Sequence, residues 1–256
     1  MPLAPHAEPF FAEPTPRESD GQRVGVLLSH GFTGSPASVV PWGRHLAGLG
    51  YGVAVPLLPG HGTTWQELNR TVWGDWYGEV ERSLDKLLAD CDQVVVGGLS
   101  MGGGLALRLA ADRPRDVAGL VLVNPAVNTS RRDVLALPVL KHVVPSFPGI
   151  ANDIKKPGVL EHGYPKTPLR AAAAMMVAWK VVRADLPKVT APLLMFRSAE
   201  DHVVDPSSGR LILSRVSSRD LTERILENSY HVATLDNDAP TIFEDSAAFV
   251  RRVTGP

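Results

Sequence analysis

The stretch Val94-Val95-Val96-Gly97-Gly98-Leu99-Ser100-Met101-Gly102-Gly103-Gly104 constrains this chain more than any other. Three β-branched residues run into Gly-x-Ser-x-Gly, and a helical pattern follows at once in Leu105, Ala106, Leu107, Leu109 and Ala110. Strand, sharp turn and helix in that order fit a turn that lifts a serine hydroxyl out of a sheet. Gly98 and Gly102 flank the serine where the turn is too tight for side chains. The same turn leaves the Met101 backbone N–H at a helix start, aimed at a developing negative charge. Gly-x-Ser-x-Gly also occurs in ordinary glycine-rich turns. The apolar strand before it and the helix after it set this one apart.

The rest of the chain reads as strands alternating with helices. Short apolar runs at 24–29, 51–55, 117–124, 192–197 and 222–226 predict strands, and Pro9-Phe10-Phe11 predicts a short edge strand. Ser35-Pro36 predicts a capped helix start, with the helix running through Trp42, Leu46 and Leu49 to stop at Gly50. Helical spacing recurs over 75–88, and Asp205 and Asp238 are expected to cap two later helices. This alternation implies an α/β class with a mostly parallel central sheet and helices on both faces. The pattern breaks over 125–185, where prolines and glycines separate helical pieces, one of them clear at 169–182. Some sixty residues exceed what a crossover needs. Residues 125–185 are therefore expected to form an inserted cap, with 1–124 and 186–256 as the core.

A serine hydroxyl is a poor nucleophile at neutral pH. It needs a base within reach, and the base needs a group to fix its tautomer. In an open parallel sheet such groups sit in loops at the carboxyl ends of strands, here in the order serine, acid, histidine. That order selects among eight histidines. His6, His30, His45 and His61 precede the serine, His142 and His162 lie in the insertion, and His202 sits beside the candidate acid. His231, after the last strand, is the expected base. Asp201 follows a strand, where an orienting carboxylate belongs; Glu200 is the alternative, and Asp205 reads as a helix cap. Two backbone donors are needed for an oxyanion: Met101 supplies one, and Phe32 in His30-Gly31-Phe32-Thr33-Gly34 is the candidate for the other. His30 reads as a brace for that loop, and His61 in Gly60-His61-Gly62 as structural.

Composition narrows the classes. Hydrophobic content of 44% and charged content of 21% suit a globular enzyme. A formal net charge of -1 gives no electrostatic case for nucleic acid or an anionic surface. No metal-ligand spacing and no phosphate-binding loop is present, so no cofactor is expected. No run approaches the length of a membrane span, and residues 1–20 carry five prolines in place of an apolar leader. With Cys91 as the sole cysteine, the expectation is a cytoplasmic chain without stable membrane insertion.

Four motifs carry a resemblance: His30-Gly31-Phe32-Thr33-Gly34; Gly98-Leu99-Ser100-Met101-Gly102-Gly103; Glu200-Asp201-His202-Val203-Val204; and Asn228-Ser229-Tyr230-His231-Val232-Ala233-Thr234-Leu235-Asp236. The chain resembles bacterial monoacylglycerol lipases and related carboxylesterases of the α/β-hydrolase fold, from about residue 22 onward. The insertion is also similar, through Asp153-Ile154-Lys155-Lys156-Pro157 and Tyr164-Pro165-Lys166-Thr167-Pro168. The resemblance implies hydrolysis of a lipid ester, with Ser100, Asp201 and His231 as catalytic residues and Phe32 and Met101 as oxyanion donors. It places contacts to the glycerol end of the substrate on Ile150 and Glu161. A general carboxylesterase or thioesterase would use the same three residues, and an acyltransferase is not excluded. A dehalogenase would carry Asp at position 100, and a non-catalytic binding module would be expected to lack one of the three.

Overall fold

The structure, a computed structural model, describes residues 3–4 and 6–255; Pro2 and Pro5 of the proline-bearing leader lie outside the described residues. Nine strands are described: β1 (Phe10–Ala12), β2 (Val24–Ser29), β3 (Gly52–Val55), β4 (Gln93–Leu99), β5 (Gly119–Val123), β6 (Ser146–Pro148), β7 (Lys166–Pro168), β8 (Leu193–Ser198) and β9 (Leu221–Leu226). The α-helices are α1 (Val40–Gly48), α2 (Trp65–Leu68), α3 (Trp73–Asp90), α4 (Met101–Asp112), α5 (Leu137–Leu140), α6 (Leu169–Asp185), α7 (Ser207–Arg215) and α8 (Ala239–Val253).

Seven strands form one sheet in the order β1-β3-β2-β4-β5-β8-β9, and β6 pairs with β7 separately. All neighbours in the large sheet are parallel except β1, which runs antiparallel along the edge of β3. The central strands are buried on both faces, and their side chains alternate between two cores. Val94, Val96, Leu120 and Leu122 join the core under α3, α4 and α6, with Trp76, Leu84, Leu105 and Leu109. Val95, Leu99, Val121 and Val123 join the core under α1 and α8, with Trp42, Leu46, Ile242 and Val250. The thiol of Cys91 is buried, and burial pushes it up to about 11, so it stays protonated and packed.

Order and register place the site. After β2 the chain turns to β3 on one side, and then crosses to β4 on the other. Such a reversal opens a crevice at the carboxyl ends of the strands. The pairs Ser29↔Gly98, Leu99↔Val123 and Ser198↔Leu226 bring those ends level, so the loops after β2, β4, β8 and β9 emerge side by side.

Local structure departs from expectation at some element starts. Pro41 lies in the first turn of α1, where it cannot continue a helix begun at Pro36. A 3-10 turn at Pro36–Ser38 therefore precedes α1, and the Ser35 hydroxyl makes no cap bond. The Asp238 carboxylate also leaves its helix uncapped, and accepts instead from Asn228 N–H and Ser229 Oγ–H. Asp205 stands one residue before Pro206, which takes the cap position of α7, and its carboxylate accepts from Ser207 N–H at 2.9 Å.

Residues 125–185 hold α5, the β6–β7 pair and α6. One face of α6 is in the main core through Ala171, Met175, Trp179 and Val182. Its first turns, through Leu169, Ala172 and Ala173, form a smaller apolar cluster with Leu137, against which Phe32 packs. The long helix thus both belongs to the crossover from β5 to β8 and packs against the other elements of residues 125–185.

Candidate active site

Ser100 sits between β4 and α4 at φ 56° and ψ −117°, a backbone state that side-chain-bearing residues avoid. The turn is tight enough to explain its glycines. A Cβ on Gly98 would lie 2.4 Å from the Gly102 carbonyl carbon, and one on Gly102 would lie 2.1 Å from the Ser29 oxygen. The serine is anchored by its own backbone: Ser100 N–H donates to Val123 at 3.0 Å, and its carbonyl accepts from Gly103 and Ala126 at the same distance.

The loop after β2 lies against this turn. A Cβ on Gly31 would fall 3.9 Å from Ser100 Oγ, so the residue before Phe32 is in contact with the serine. The Phe32 N–H makes no hydrogen bond among the described residues, and the Met101 N–H opens α4, where no intrahelical acceptor exists. His30 braces the loop from below, with Nδ1 donating to Gly31 O at 2.9 Å and Nε2 accepting from Leu58 N–H at 3.2 Å. Both bonds require the neutral Nδ1–H tautomer, which burial enforces by pushing His30 down to about 4. His61 is also fully buried and is lowered by burial and by His30.

His231 follows β9, and its Nδ1 lies 2.8 Å from Asp201 Oδ2 in the loop after β8; each side chain is 7% exposed. A carboxylate partner makes Nδ1 the donor and leaves Nε2 free to accept a proton. Burial alone would raise Asp201 and lower His231. Their mutual attraction, with Val203 and Val204 N–H groups on Asp201 Oδ1, reverses both, so Asp201 stays ionised and His231 is a strengthened base. Glu200 is not against His231; it lies 3.3 Å from His202 Nε2 and is 56% exposed. Ser100 and His231 are not hydrogen bonded to each other among the described residues, a contact that commonly tightens only with substrate bound.

Sequence reading missed the groups that hold these loops together. Asn124, at the end of β5 with φ 43°, donates to Ser198 Oγ and to His231 O and accepts from Ser198 N–H. Asp236 accepts from Tyr230 N–H and from Lys155 and Lys156 N–H in the insertion. Asp153 accepts from His231 N–H at 3.1 Å. An Asn-Pro pair at a strand end was the one local signal for Asn124.

Two further residues come from the segment 125–185. The Glu161 carboxylate reaches over the loop after β2, since a Cβ on Gly34 would lie 2.8 Å from its Oε1. Burial pushes it up to about 7 against the pull of His231. Ile150 is half exposed just after β6. Tyr164 fastens this segment down, with its N–H on Thr33 O and its hydroxyl between Thr63 N–H and Gly60 O. No cluster of three or more His, Cys, Asp or Glu suited to a metal occurs among the described residues. None of the described helices is long and apolar enough to cross a membrane.

This sheet, with a strained serine after its central strand and an Asp–His pair in the loops after β8 and β9, is the α/β-hydrolase fold. A family model described as serine aminopeptidase, S33 (Hydrolase_4), matches residues 21–238, and the chain belongs to that family. The chain is 40% identical to a thermostable monoacylglycerol lipase of Bacillus sp. (strain H-257), covering 99% of this chain and 98% of the relative. It is 28% identical to a carboxylesterase of Bacillus subtilis (strain 168), over 94% and 97%. A solved structure from work on the metagenome-derived lipolytic enzymes LipS and LipT superposes with a TM-score of 0.92 at 40% identity, covering 98% of this chain and all of that one.

Proposed function

We propose that this chain is a serine ester hydrolase that cleaves monoacylglycerols to glycerol and fatty acid through an acyl-enzyme on Ser100. The observation that carries the reading is the His231–Asp201 pair at 2.8 Å beside a serine held at positive φ. His231 Nε2 takes the Ser100 proton as Oγ bonds to the ester carbonyl carbon. The Phe32 and Met101 N–H groups receive the oxyanion. Asp201 stays ionised and steadies the imidazolium. His231 then protonates the glycerol oxygen as the C–O bond breaks. Water, deprotonated by the same imidazole, then bonds to the acyl carbon, the bond to Ser100 Oγ breaks as His231 returns the proton to Oγ, and the fatty acid leaves. Residues 125–185 act as the cap, with Phe32, Leu169 and Ala173 lining the acyl side. We place the chain in the cytoplasm, where its single buried thiol is stable.

Glu161 and Ile150 are assigned to the glycerol end. An ionised Glu161 accepts hydrogen bonds from the two free hydroxyls, which a triacylglycerol lacks. The test is fatty acid release from 1-lauroylglycerol, lauroyl methyl ester and trilauroylglycerol by wild type and Glu161→Ala. Monoacylglycerol is expected to be preferred, and the preference to fall about tenfold in the variant. Equal cleavage of the methyl ester by both proteins makes the chain a general carboxylesterase and removes the glycerol contact.

Because Glu161 titrates at about 7, its acceptor form grows as pH rises through neutrality. KM for monoacylglycerol should therefore fall between pH 6 and pH 8, while KM for the methyl ester should not follow. The cap also leaves Leu135, Val139, Val143, Leu160 and Val177 exposed. Transient contact with a micelle surface is expected, without insertion. Equal rates on monomeric and micellar substrate would remove that expectation.

A further inference from the structure

We propose that Asp153, a residue of the insertion, positions His231: it clamps the backbone of the base loop and sets the charge that the imidazole meets. The inference rests on the assignment of Ser100 and His231 made above.

The contacts are specific. Asp153 Oδ2 accepts from His231 N–H at 3.1 Å and from His202 N–H at 3.2 Å. Its Oδ1 takes His202 Nδ1 at 2.7 Å, and its own carbonyl accepts from Val232 N–H at 3.0 Å. The side chain is 9% exposed. A buried carboxylate gathers donors in this way only at the cost of its hydration, and three hydrogen bonds offset that cost. None of the donors belongs to the sheet. His202 follows Asp201 directly, so one carboxylate grips the chain beside the acid and, through His231 N–H, at the base, while the Asp153 carbonyl holds Val232 just after it. It thereby fixes the span across which Asp201 Oδ2 meets His231 Nδ1. The neighbouring residues reinforce the grip, since Lys155 and Lys156 N–H groups are held by Asp236 of the same loop.

Charge gives the second part. The ionisable groups that face His231 are Asp201, Glu161 and Asp153, and each raises its basicity against the effect of burial. Asp153 is itself shared with His202, which lies against Glu200 at 3.3 Å and edge-on to Tyr230, with Lys155 Nζ over the Tyr230 ring. His202 is held above the usual histidine range, first by Asp153. When protonated it offsets the charge of the Asp153 carboxylate, which His231 also meets. Loss of Asp153 should weaken the base, and loss of His202 should strengthen it.

Three variants of the whole enzyme separate these effects: Asp153→Asn, Asp153→Ala and His202→Gln. The readouts are hydrolysis of a soluble short-chain p-nitrophenyl ester from pH 5 to pH 9, covalent labelling of the serine by a fluorophosphonate, and thermal unfolding. Asn keeps an acceptor for the backbone and removes the charge, so the acid limb of kcat/KM should move down by about 0.5 pH unit. Ala also removes the clamp, and kcat should fall about tenfold with KM little changed. In His202→Gln the limb should move up. A residue that merely pins the insertion would lower the unfolding temperature or raise KM, and leave the limb in place. Unmoved limbs in Asp153→Asn and His202→Gln overturn the proposal. If the Asp153 variants fail to fold, His202→Gln decides alone, by an upward shift or its absence. A wild-type protein that the fluorophosphonate does not label at Ser100 overturns the serine assignment itself, an outcome distinct from the others.

Discussion

Ser100→Ala is expected to lower ester hydrolysis by about five orders of magnitude or more while the unfolding curve stays native. The alanine keeps the Cβ and loses only the Oγ proposed to attack the carbonyl. The unusual backbone allows a sharper version. Ser100 sits at φ 56° and ψ −117°, a conformation that costs a side-chain-bearing residue about 1–3 kcal/mol and glycine much less. Ser100→Gly should thus be as inactive as the alanine variant yet unfold at a higher temperature. Alanine retains the strain, so the pair separates loss of the nucleophile from relief of the turn. Retained activity in a natively unfolding Ser100→Ala protein would remove the nucleophile assignment.

The second large effect is on folding. Gly102→Ala should leave little soluble folded protein, because the added Cβ would meet Ser29 O at 2.1 Å and His30 O at 2.8 Å. Both atoms are backbone, one at the end of β2 and the other in the loop after it, so no rotamer change makes room. The cost should exceed about 4 kcal/mol, the range reserved for gross steric conflict. Gly74→Ala is the control: it is in the first turns of α3 with nothing within 4 Å of the new Cβ, and its stability should be unchanged or slightly raised. Similar expression and melting of both variants would mean that the turn is not as tight as described.

What could be read from residues alone follows the range of the forces involved. The turn around Ser100, the doubly buried strands and the long helices are made by neighbours in sequence, and periodicity and glycine spacing report them. The assignment of His231 came from chain order, because loops at one end of a parallel sheet converge whatever their sequence. Asn124, Asp153 and Asp236 act across tens of residues, and an isolated Asn or Asp in a loop carries no sign of the partner it will find. The helix starts show the same limit. Ser35 and Asp238 stand where a cap belongs, yet Pro41 moves one helix start and Asn228 with Ser229 claims the other carboxylate. The four-residue α2 is too short for a periodic signal. Glu161 was reached through resemblance, and its displaced titration appears only once the surrounding residues exclude water.

The Asn124 amide has a further consequence, for the order in which a newly made chain becomes active. Its bonds to Ser198 and His231 span 74 and 107 residues. The serine turn is complete once about residue 126 has been made, but Asp201 and His231, the proposed acid and base, come later in the chain. Contacts of such separation close late, after the entropy of long loops has been overcome. A growing chain therefore carries its serine through the synthesis of about a hundred further residues before the proposed base, His231, is present. On the proposed assignment, hydrolytic competence arrives in one step with the loop that carries His231, when the polypeptide is already long enough to bury both faces of its sheet.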